Sequence, residues 1–87
     1  MYNISKFEDS VEAKEIVNDL RKQVKELDYN TDLRKYLENL EKMVMNLSSL
    51  EVDARRTGNA RKAIEYAKKL EDSITYFEHL LLMAKLM

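Results

Sequence analysis

Three runs of apolar residues, the last two spaced strictly by threes and fours, organise this chain. In the first, Ala13, Ile16, Val17, Leu20, Val24 and Leu27 recur on one side of a helix. In the second, Leu33, Tyr36, Leu40, Met43, Leu47, Leu50 and Ala54 step along without a miss; in the third, Ala60, Ala63, Ala67, Leu70, Ile74, Phe77, Leu81 and Ala84 do the same. The last two runs each suit a helix of roughly 40 Å at about 1.5 Å per residue. They are parted by Thr57-Gly58-Asn59, which holds the only glycine of the chain. Glycine takes the left-handed conformation that ends a helix, and an asparagine after it accepts a backbone N–H bond that starts the next. Stop and start signals therefore abut, which predicts a long antiparallel hairpin.

The first helix has two candidate starts. Ser5 with Glu8, and Asp9 with Glu12, each have the spacing of a capping box, in which the two side chains satisfy free backbone donors. Glu8, Asp9, Glu12 and Glu15 crowd its beginning, and Arg21, Lys22 and Lys25 its later turns, the polarity a helix dipole favours. Asp28-Tyr29-Asn30-Thr31-Asp32 then gathers turn residues, with Asn30 or Thr31 expected to cap the second helix. Short connections make neighbouring helices antiparallel. No proline interrupts the runs, and no linker or repeat divides residues 1–87. The expectation is one all-α domain, an up-down-up three-helix bundle.

One feature exceeds what such a bundle needs. Opposite the core stripe of the third helix, Tyr76, His79, Met83 and Leu86 step by three, four and three, with Leu82 beside them. The end of this helix is thus apolar on two sides, whereas a surface helix shows one stripe. Contiguous apolar surface marks interfaces, and methionine and leucine are common there. Tyr76, Leu82, Met83 and Leu86 are therefore the candidate contacts for a homodimer formed through the third helix, or for another protein. Met45 and Val52, outward on the second helix, are expected to widen the surface. The polar face lacks the cluster of Lys and Arg used by helices that lie on membranes.

Size and charge sharpen this picture. A domain of 87 residues buries only about 60–65% of the surface its unfolded chain exposes, so a second copy would supplement a thin core. Charged residues make up 36% of the chain with a net charge of −1, which argues against wholesale attraction to nucleic acid or anionic lipid. The local exception is the hairpin tip, with Arg55, Arg56, Arg61 and Lys62. Positive charge is favoured where Arg55 and Arg56 close a helix and disfavoured where Arg61 and Lys62 open one. An anion against the free N–H groups of that start would offset the conflict, making these residues the candidate contacts for phosphate or nucleic acid. The topology supplies a competing expectation, because the acidic start of the first helix lies at the same end and would pair with the arginines. Stacking aromatics, common in readers of single strands, are missing at the tip.

Chemistry is not expected. Without cysteine there are no disulfides, and no uncharged apolar stretch approaches the ~20 residues of a membrane span. No apolar leader opens the sequence, so a cytoplasmic protein is the expectation. His79 is the only histidine; no acid stands at the Glu-x-x-His spacing of bundle metal sites, and one histidine does not build a Ser-His-acid set. Glu51/Asp53 and Glu71/Asp72 read as solvated helix faces, and no glycine-rich loop is present to hold a nucleotide. No catalytic residue, metal or cofactor is therefore expected. Leu20–Asp28 faintly resembles the first helix of the small three-helix chorismate mutases, but Lys25 stands where that family has an acid, and the apolar pattern stops at Asn30-Thr31.

Two likenesses concern the hairpin. Gly58–Tyr66 looks like the turn and second helix of a tetratricopeptide unit, with Glu51 where that repeat has a small residue and no second copy. Arg55-Arg56-Thr57-Gly58-Asn59 between long helices resembles the small helical-hairpin proteins of crenarchaeal viruses, which pair into four-helix bundles and are regarded as adaptor-like. That resemblance implies a non-enzymatic adaptor. The sequence as a whole reads as a non-catalytic interaction module, self-associating through the apolar end of its third helix.

Overall fold

The structure is a computed structural model that describes residues 6–27 and 31–86. Three helices follow one another up, down and up: α1 (Ser10–Leu27), α2 (Thr31–Thr57) and α3 (Arg61–Leu86). α2 packs along both neighbours, whereas α1 and α3 touch over a short stretch. The central helix is therefore the spine of the bundle, and its sequence shows the demand.

Its deepest positions are Leu33, Leu37, Leu40, Val44 and Leu47, while Tyr36, Met43, Leu50 and Ala54 are only partly buried. The core face thus lies one step to the side of the periodic stripe and takes in Leu37 and Val44, which that stripe omits. The reason is geometric. A helix held from two directions buries a broad face, with Tyr36 on the edge turned to α3 and Val44 on the edge turned to α1, beside Val17. Leu70, Ile74 and Phe77 of α3, together with Ala13, Val17, Leu20 and Val24 of α1, close the core against it.

The helix ends follow capping chemistry. α1 uses the second candidate start: Glu12 donates its N–H to Asp9 Oδ1 at 3.0 Å, and Glu12 Oε1 accepts from the Glu8 N–H at 2.6 Å. Ser5, the other candidate, and the Asp28-Tyr29-Asn30 turn lie outside the described residues. Glu51, expected to be solvated, instead bonds the first residue of α1 and is only partly exposed. At the hairpin Gly58 has φ 77°, its N–H reaches Ala54 O at 2.8 Å, and Asn59 Oδ1 accepts from the Arg61 N–H at 3.1 Å. Ala60 immediately precedes α3, its carbonyl accepting from the Ile64 N–H at 2.9 Å, and is exposed rather than part of the core stripe.

Phe7 is buried although it precedes α1. The Lys6 N–H donates to Glu71 Oε2 at 2.6 Å, and the Lys6 ammonium meets Glu78 Oε1 at 2.8 Å. Lys6 thus ties this segment to α3, and the Phe7 ring joins the core.

Candidate interaction surfaces

α3 presents its apolar tail to solvent. Tyr76, Leu82, Met83 and Leu86 are between 52 and 79% exposed, and His79 beside them is exposed as well. At about 100° per residue these side chains fall within an arc of roughly 120°, centred opposite the buried Leu70, Ile74, Phe77 and Leu81.

The backbone beneath this stripe is firmly seated. On one edge Tyr76 lies 5.8 Å from Tyr36 between ring centroids, and Tyr36 stacks at 5.5 Å on the buried Phe77. Burial pushes the Tyr36 phenol above its ordinary pKa, and the neighbouring Tyr76 adds to the rise. On the other edge the Lys85 ammonium donates to Gln23 Oε1 of α1 at 2.6 Å. The stripe can therefore be contacted without reshaping the core.

Met45 does not extend it. It is 70% exposed but lines a groove of about 620 Å³ between α1 and α2, with Val11, Lys14 and Asn18, that no α3 residue borders. α2 turns Tyr36 toward α3 and Met45 toward α1, so the two apolar regions lie on different sides. Val52 is half exposed.

A further apolar region is not marked by the periodicity. Val11 is 66% and Ile64 56% exposed, and both border a depression of about 550 Å³ between the start of α1 and the hairpin end, which Ala54, Ala60, Ala63 and Ala67 line together with the charged Glu8, Asp9, Glu51 and Arg55. Val11 and Ile64 each sit off the core stripe of their helix, and that is the signal that could have revealed them.

The basic tip is also open. Arg55, Arg56, Arg61 and Lys62 are all exposed. Arg56 pairs with Asp53 on its own helix at 2.9 Å. Among the described residues no acid comes within ion-pair distance of Arg55, Arg61 or Lys62. The expected pairing with the start of α1 does not form. Asp9 and Glu12 are engaged in capping, and Glu12 and Glu15 border the cleft that holds Lys6 and Glu78. Tyr66, the aromatic residue nearest the tip, accepts from Asn46 Nδ2 at 3.1 Å and belongs to the α2–α3 flank.

Among the described residues no group of three His, Asp or Glu side chains is arranged to hold a metal, and no helix is long and apolar enough to cross a membrane. Comparison with protein-family models, with characterised proteins and with solved structures finds no match.

Proposed function

We propose that this protein is a non-catalytic, adaptor-like interaction module that forms a homodimer through the C-terminal half of α3. One observation carries the reading: four large apolar side chains on a single outward arc, each more than half exposed, above a backbone braced from both edges. Side chains of this size leave on the order of 450 Å² uncovered per protomer, the scale of patch that marks a contact site. The likeness of the hairpin turn to adaptor-like viral proteins favours the same reading. Light scattering should give twice the mass of one chain, and Met83→Glu should shift the protein to monomer with its helix content unchanged. A wild-type monomer at high concentration overturns the proposal.

A second reading has its own support, because Arg55, Arg61 and Lys62 lack acidic partners among the described residues. On this reading the tip binds phosphate or a nucleic-acid backbone. Affinity for DNA or RNA would then fall steeply with salt, and Arg61→Gln with Lys62→Gln would weaken binding to every sequence alike. Unchanged affinity in that double variant removes the reading.

A further inference from the structure

We infer that association through the α3 tail is switched by pH, protonation of His79 driving the two copies apart. The inference rests on the reading that α3 mediates self-association, and it names what regulates that contact. His79 is the only histidine of the chain. At about 100° per residue, Leu82 and Leu86 fall roughly 60° and 20° to one side of it, and Met83 and Tyr76 roughly 40° and 60° to the other. The imidazole, itself exposed, is therefore the middle of the apolar arc. An interface that covers those four side chains covers His79 too, in whatever register the copies meet.

An imidazole changes charge between about pH 5 and 8, and burial disfavours its charged form unless an acid compensates. No such acid is in place. Among the described residues none comes within ion-pair distance of His79. On α3 itself, Glu78 is turned to the Lys6 ammonium at 2.8 Å, and Asp72 shares the side of His79 but stands two turns earlier, at about 10 Å of rise. α1 packs on the Lys85 side, about 120° round the helix, where Gln23 accepts from the Lys85 ammonium; Asp19 and Glu26 stand one turn to either side of Gln23. α2 packs on the Tyr76 side. Its groups on that edge are Tyr36, which adjoins Tyr76, and Asp32 one turn before it, which is exposed.

A second copy brings no compensating charge. What faces His79 is then the same arc of Tyr76, Leu82, Met83, Leu86 and His79 itself, which holds no carboxylate. Whether the arcs overlap parallel or antiparallel, the second copy's Asp72 stays about 10 Å or more away along the helix axis. A protonated ring therefore meets hydrocarbon or another cation. The separate chains take up the proton more readily than the pair does, so association is complete above histidine's titration range and is lost as pH falls through it.

Sedimentation equilibrium at about pH 7.5 and about pH 5.5, within histidine's range, tests the switch; exposed carboxylates stay ionised across that window. The dimer dissociation constant of the wild type should rise about tenfold or more at the lower pH, with helix content by circular dichroism unchanged. His79→Gln, which carries no charge at either pH, should show one constant at both, whatever its affinity. A wild-type constant that holds steady or falls at the lower pH, or a His79→Gln dimer that weakens as much as the wild type, overturns the switch while leaving the dimer through α3 in place. A protein that is monomeric at both values removes both.

Discussion

Glu51 of α2 holds Ser10, the first residue of α1, by two hydrogen bonds, accepting from its backbone N–H at 3.0 Å and from its hydroxyl at 2.6 Å. A carboxylate from one helix therefore helps cap the start of another and places negative charge at its positive end. Glu51→Ala should lower stability by about 1–2 kcal/mol. Asp53→Ala, which breaks an exposed pair with Arg56 on the same helix, should cost less than ~1 kcal/mol. Urea midpoints at unchanged slope distinguish the two; equal losses would show that Ser10 finds no use for its partner.

The segment ahead of α1 offers a contrast between packing and charge. Phe7 is 6% exposed, and Phe7→Ala should cost about 3 kcal/mol or more. In a domain of this size that lowers the melting temperature by roughly 10–20 °C. The Lys6–Glu78 pair is more than a third exposed on both sides, and Lys6→Ala should cost no more than about 1 kcal/mol. Thermal melts followed by circular dichroism test the ranking, and a Phe7→Ala protein that melts with the wild type would place that ring outside the core.

Tyr36 should make the bundle sensitive to alkali. Its phenol is raised above the ordinary range, first by burial and then by Tyr76 beside it. The unfolded chain therefore loses this proton at lower pH than the native one. The stability from keeping Tyr36 neutral is complete below the unfolded value of about 10 and is lost as pH rises through the folded one. Tyr36→Phe should flatten the fall in unfolding free energy above that point. A profile with the same alkaline slope in both proteins would dispose of the assignment.

Much of this architecture is written in short-range signals. The hairpin needs only Gly58, in the left-handed conformation that glycine alone takes at little cost, and Asn59 to cap α3. The exposed stripe at Tyr76, Leu82, Met83 and Leu86 is legible because it lies opposite a second stripe on one helix. Other features depend on what a helix packs against. Leu37 and Val44 are core because α2 has neighbours on two sides, which the spacing along a single helix does not encode. Phe7 is buried in a segment that its neighbour Lys6 ties to side chains of α3 more than sixty residues away, and Glu51 is recruited by a helix whose first residue lies forty-one positions before it. Val11 and Ile64 matter as a pair only once two helix ends are brought together.

The central position of α2 bears on how the molecule assembles and comes apart. Each flanking helix adjoins α2 along the chain, so most packing joins segments that are near in sequence, the circumstance in which small helical proteins fold within microseconds to milliseconds. Amides in α2, sheltered from both directions, should exchange with deuterium last. Those in α1, the shortest helix, should exchange sooner, as it peels away while the α2–α3 pair stays closed.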